Sequence, residues 1–217
     1  FIRRFLGTSA PVIANEFMWG LGTTLYSLAY GRMGDDAVAA ITIATTIQDI
    51  FVVLFQGLSA ATAVILGNEL GAGKLKRAEK YATQFFILQF MVTMAADLLM
   101  VAGRWKIIGI YTITPEVAMD INLCLLVFAL YMPAKMFNYV NVVGVLRSGG
   151  DTKMCLFLDT SGVWLFGVPL AFLGALVWKL PIYLVYALVL FEEVYKMVLG
   201  YWRYRQKKWL RNLTSEG

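Results

Sequence analysis

Residues Val145 to Lys153 read VLRSGGDTK: an arginine, a serine, two glycines and an aspartate set between two long apolar runs. The run before, Leu123 to Gly144, is LCLLVFALYMPAKMFNYVNVVG, and the run after, Met154 to Trp178, is MCLFLDTSGVWLFGVPLAFLGALVW. The interruption is too short for a domain linker and long enough to turn a chain around at a membrane surface. In lipid every backbone amide needs a partner inside its own segment, so spans are helices or closed barrels. Period-2 alternation is absent here, and the long apolar runs predict helices.

The rest of the chain follows the same plan. Of 217 residues, 59% are hydrophobic and 15% charged, with 14 Phe, 11 Tyr and 6 Trp, and the mean hydropathy is +0.68. A soluble domain of this size could not hide that much apolar surface, so the excess faces lipid. A span takes about 20 predominantly apolar residues. Six stretches qualify: Gly7 to Tyr30, Ala37 to Leu66, Thr83 to Ala102, Ala118 to Val145, Met154 to Trp178 and Pro181 to Tyr201. The expected fold is an all-α membrane protein: a six-transmembrane-helix bundle over residues 1–202, then a basic cytoplasmic tail over 203–217. Pro133 predicts a kink in the fourth span, because it removes an amide donor and crowds the previous turn.

Lysine and arginine in the loops set the orientation. One side carries Arg3, Arg4, Lys74, Lys76, Arg77, Lys80, Arg147, Lys153, Arg203, Arg205, Lys207, Lys208 and Arg211; the other carries Arg32, Arg104, Lys106 and Lys179. That asymmetry places both ends of the segment in the cytoplasm. The net charge of +5 is spread over several loops, so the lipid bilayer is the expected partner and nucleic acid is not.

Few chemistries remain open. The chain has no histidine, and no nucleophile elbow, phosphate loop or zinc motif is present. No enzyme activity, metal centre or cofactor is expected. Cys124 and Cys155 fall in predicted spans without metal spacing and read as buried free thiols. The sequon Asn212-Leu213-Thr214 lies on the cytoplasmic side of this topology and reads as chance. Phe1 begins the chain without a signal-peptide pattern, which reads as an interior starting point.

Polar residues inside spans are expensive in lipid, so each is a functional candidate. Glu16 lies about 13 Å along its helix from Gly7, near the bilayer middle, and Trp19, Gly20, Thr23 and Ser27 continue its face. The second span carries Thr42, Thr45, Thr46, Asp49, Gln56 and Ser59 at similar spacing, and the fourth carries Tyr131, Lys135, Asn138 and Asn141. Three polar stripes predict one water-accessible cavity, with the other three helices as scaffold. The alternative is a buried Glu16–Lys135 pair with hydrogen bonds between helices. Asp159 reads as structural, Asp97 as interfacial, and Glu192 and Glu193 as a local cluster with Lys196 at helical ion-pair spacing.

Four loop-borne motifs, PVIANEFMWGLG, YGRMGDDAVAA, GNELGAGKLKRAEKYA and GVLRSGGDT, occur in that order along the chain, with WLFGVPLAFLGAL and the basic RQKKWLRNL after them. Together they resemble the multidrug and toxic compound extrusion (MATE) transporters, and more closely the C-terminal six-helix half of one. The resemblance implies one half of a twelve-helix, two-bundle transporter, whose partner is an N-terminal six-helix half, in the same chain or as a second copy. It implies export of small organic cations and amphiphiles driven by H+ or Na+ across a bacterial cytoplasmic membrane. It also implies a cavity built by the first, second and fourth helices of this half. An acid in the first helix is a family feature that Glu16 matches, and Na+ near Glu16 is the metal this admits. The aspartate that one branch carries in the fourth helix is absent from AKMFNYVNVVG.

The expected mechanism is antiport by alternating access. An aromatic cation or zwitterion stacks on Trp19 or Tyr139 and is held by a carboxylate that the incoming ion neutralises. Glu16, Trp19, Thr45, Asp49, Gln56, Lys135, Asn138, Tyr139 and Asn141 are the expected cavity residues. Arg147, Gly149, Gly150 and Asp151 are the expected structural turn, with a hinge role in access. The rival functions are a lipid-linked sugar flippase of the same superfamily, which calls for a more basic cavity, and a non-transporting membrane interaction module.

Overall fold

A computed structural model describes residues 2–211, with side chains from residue 9 onward. The described residues form six helices: α1 Ile2–Gly31, α2 Asp35–Gly71, α3 Leu75–Ile108, α4 Pro115–Leu146, α5 Thr152–Val177 and α6 Ile182–Arg205. No strand occurs among the described residues. Helix ends follow local chemistry. Gly34 turns the chain into α2 at φ 108°. At the start of α4 the Thr114 hydroxyl accepts from the Val117 amide, and Pro115 fills the first turn, where its missing N–H costs nothing.

Helices α2, α3, α4 and α5 are long and apolar enough to cross a membrane by length and composition. The sequence reading had six such spans. In α6 the three charged residues Glu192, Glu193 and Lys196 interrupt the apolar run, and all three are buried inside the bundle. Helices α2 and α3, at 37 and 34 residues, are longer than the apolar stretches that mark them, because charged turns continue each helix beyond the hydrocarbon core.

Central α4 packs against α2, α3 and α6, while α1 packs on α5. The larger apolar core is filled by side chains such as Ile47, Phe55, Met100, Phe128 and Met132. A smaller one at the charged end holds Leu66, Leu70, Leu146, Leu158 and Trp209. Both cysteines are buried free thiols. Helix α4 continues through Pro133 and changes pitch a few residues later. From Tyr139 to Leu146 it adopts the wider i→i+5 turn, a form often found where side chains are re-aimed for function. Helix α5 widens similarly at Gly162–Gly167 and Leu173–Val177.

The VLRSGGDTK turn is tied down at several points. Gly150 takes φ 72°, a conformation open to glycine at little cost. Gly149 does not need that freedom; it needs the absence of a side chain, because a Cβ there would overlap the backbone of Trp209. Arg203 grips Asp151 with two donated hydrogen bonds, Nε to Oδ2 at 2.6 Å and Nη2 to Oδ1 at 2.9 Å. Arg211 Nε donates to the Gly149 carbonyl at 3.2 Å. Fully buried Trp209 stacks on Tyr204, ring centroids 5.7 Å apart. The tail drawn from composition at 203–217 therefore starts too early: α6 runs to Arg205 and the residues through Arg211 close the floor of the bundle. The sequon at 212–214 lies outside the described residues.

Candidate functional site

A cleft of about 340 Å3, its apolar surface interrupted by polar and charged side chains, opens at the α1, α2 and α4 walls. Asn15, Glu16 and Trp19 come from α1; Gln56, Ser59 and Ala60 from α2; and Lys135, Asn138, Tyr139, Val142, Val143 and Arg147 from α4. Asp159 of α5 and Glu193 and Lys196 of α6 complete it, so two of the three helices expected as scaffold supply three of its charges.

Glu16 and Lys135 do not pair. The Glu16 side chain is 57% exposed, and its Oε1 accepts a hydrogen bond from Arg147 Nη2 at 2.9 Å. Lys135 instead faces Glu193, Nζ to Oε1 at 3.7 Å. The other Glu193 oxygen meets Lys196 Nζ at 3.2 Å and accepts from Asn138 Nδ2 at 2.8 Å. Lys196 also lies 3.3 Å from Glu192, whose second oxygen accepts from the Tyr26 hydroxyl at 2.7 Å. The cluster read from sequence as local to one helix is thus a buried network joining α1, α4 and α6. Charges buried this deeply persist only when paired and hydrogen-bonded. On α5, Asp159 Oδ2 accepts from Asn15 Nδ2 at 2.9 Å.

Three of the expected cavity residues lie off the cleft. The Thr45 hydroxyl donates to carbonyls of its own helix, Ile41 at 2.9 Å and Thr42 at 3.0 Å, so this part of the stripe is satisfied locally. Exposed Asp49 lies two turns from Gln56 along α2 and does not line the cleft. Asn141 is fully buried. The wide turns of α4 carry it off the face of Asn138 and against α6, where a Cβ on Gly200 would lie 2.8 Å from its Nδ2. Glu16, Trp19, Gln56, Lys135, Asn138, Tyr139 and Arg147 do come together. The sequence reading missed Asn15, although it stands one turn before Trp19 and so shares that face.

Comparison with known proteins places this chain in a family. The family model described as MatE matches residues 11–173. The chain belongs to the MatE family. Among curated relatives, the multidrug resistance protein MdtK of Yersinia pseudotuberculosis serotype O:1b is 27% identical over 174 residues, covering 79% of this chain and 37% of that protein. An uncharacterized transporter of Bacillus subtilis, YisQ, is 21% identical over 211 residues, covering 97% of this chain and 46% of its own length. The chain therefore spans less than half the length of these relatives. Among solved structures, the Vibrio cholerae MATE transporter VcmN in its bent form superposes with a TM-score of 0.86 at 16% identity, over 97% of this chain and 48% of that one. An outward-facing multidrug resistance MATE transporter gives 0.86 over 95% and 46%. At such identity the structural likeness speaks for the fold: a six-helix membrane bundle of the MATE type.

Proposed function

We propose that this chain is the C-terminal half of a secondary active multidrug efflux antiporter, exporting organic cations or amphiphiles in exchange for H+ or Na+ by alternating access. The observation that carries the proposal is the cleft. A membrane bundle spends free energy to hold charged groups in its interior, and this one lines an open cavity with them. Glu16 is the carboxylate best placed to exchange partners, since it is half in water and held by one ion pair. Trp19 and Tyr139 offer aromatic faces on the same walls, suited to stacking and cation–π contact. An arriving proton or sodium ion would neutralise Glu16 and release a cation held there. Its partner is a second six-helix bundle facing this cleft, in keeping with the two-bundle plan of such transporters.

The cleft supports this reading over a flippase for lipid-linked sugars, because its bases Lys135, Arg147 and Lys196 are matched by the acids Glu16, Asp159 and Glu193. The test is efflux of a fluorescent organic cation from vesicles carrying the longest natural reading frame that contains this chain, with proton and sodium gradients imposed separately. Export coupled to one gradient is expected and names the ion. Inserted protein that exports under neither gradient rules the antiporter out.

A further inference from the structure

Three bases line the cleft, and they are held with different firmness. Lys196 is buried between Glu192 and Glu193, at 3.3 and 3.2 Å. Lys135 faces the same Glu193 at 3.7 Å. Arg147 stands outside this network. A guanidinium carries five N–H donors, yet among the described residues the Arg147 side chain makes one hydrogen bond, from Nη2 to Glu16 Oε1 at 2.9 Å. Four residues further along the same turn, Arg203 holds Asp151 with two bonds, at 2.6 and 2.9 Å, the forked geometry that makes such a pair firm. The acids differ in the same way. Glu193 is buried and Asp159 half-buried, whereas Glu16 is exposed. A cation entering the cleft from water therefore meets Glu16 first, and finds a guanidinium already on it.

We infer that Arg147 is a tethered competitor: its guanidinium occupies the carboxylate that the transported cation takes, and the cation binds by displacing it. This rests on the transport function proposed above and specifies how its cation site is regulated. A cation that joined the pair without displacing the arginine would set two positive charges on one carboxylate, where they repel each other at close range. Displacement is the smaller cost. The pair is monodentate and its carboxylate lies largely in water, so breaking it forfeits little, a factor of about two to five in affinity. The displaced guanidinium stays attached to the end of α4 and returns to Glu16 when the cation leaves, so the acid is not left bare inside a membrane bundle. The lysines cannot take this part, because both are bound to Glu193 in a network whose opening strands buried charge.

The experiment measures binding of ethidium, a monovalent aromatic cation, by fluorescence anisotropy on the purified product of the longest natural reading frame containing this chain. Arg147→Gln and Arg147→Met are each expected to tighten binding about two- to fivefold, and to lower the apparent KM for ethidium export from proteoliposomes by the same factor. Lys135→Gln takes one positive charge from the same cleft but none from Glu16, and is expected not to tighten binding. Equal or weaker binding by both arginine variants overturns the inference. Failure of both to insert overturns it as well, since Arg147 is then a structural clasp like Arg203. Tightening by Lys135→Gln as large as that by Arg147→Gln also overturns it, because the gain then comes from the overall charge of the cleft. Ethidium that binds neither the unmodified protein nor the arginine variants overturns it, whereas binding by the arginine variants alone supports it. Tightened binding without export from any of these proteins counts against the transport function alone.

Discussion

Glu16 and Glu193 line the same cleft from different helices. On α1, Glu16 is more than half exposed and holds one arginine. On α6, the Glu193 side chain is 7% exposed and holds two lysines and an asparagine through its two oxygens. A carboxylate partly in water exchanges its counter-ion at small cost, since exposed ion pairs contribute about 0–1 kcal/mol. A carboxylate inside a closed network cannot, because removing any one partner strands the others in a medium that solvates them poorly. In the antiport proposed above, the α1 wall would change its partners and the α6 wall would hold still, so the charge of a residue in a membrane cavity says little about its task until its partners are counted.

The contrast can be broken most severely on the α6 side. Glu193→Ala leaves Lys196 and Lys135 without their shared counter-ion and is expected to cost about 3–5 kcal/mol, seen as a large fall in thermal melting temperature in detergent or as loss of inserted protein. A variant that melts like the unmodified protein would show the network to be dispensable. The next largest effect is expected far from the cleft. Gly149→Ala forces a methyl group into the Trp209 backbone and should cost about 1–3 kcal/mol, as overpacking does. Gly150→Ala strains a positive φ instead, so the two variants separate crowding from conformation. If the turn is also a hinge, its motion must release Asp151 from Arg203 and Gly149 from Arg211, and transport by both variants should then fall beyond what reduced stability explains. Glu16→Gln is expected to move the melting temperature least, by less than about 1 kcal/mol in stability, while reducing export. Normal export by that variant would remove Glu16 from the mechanism.

Much of this was legible along the chain. The six helices and their order follow from apolar runs separated by charged turns, a signal that survives any packing. The α1, α2 and α4 walls were readable because helical spacing brings Glu16 with Trp19, and Lys135 with Asn138, onto single faces. Partners distant in sequence were not readable. Asn15 and Asp159 stand 144 residues apart, and nothing in either segment announces the other. Helical spacing alone would keep Asn141 beside Asn138, yet wide turns carry it away. Gly149 reads as a helix breaker until Trp209 is found beneath it. The basic composition of residues 203–211 concealed the one tryptophan that anchors them.

That tryptophan sets a practical limit on reporter fusions. A phosphatase or fluorescent protein joined to the chain at the end of α6, where hydropathy alone would place the junction, removes the Trp209 plug that seals the smaller core and the Arg211 clasp on the neighbouring turn. Topology and abundance would then be measured on a bundle with its base missing. Junctions placed after Arg211 keep that base, so a signal that differs between the two junctions measures how much insertion depends on it.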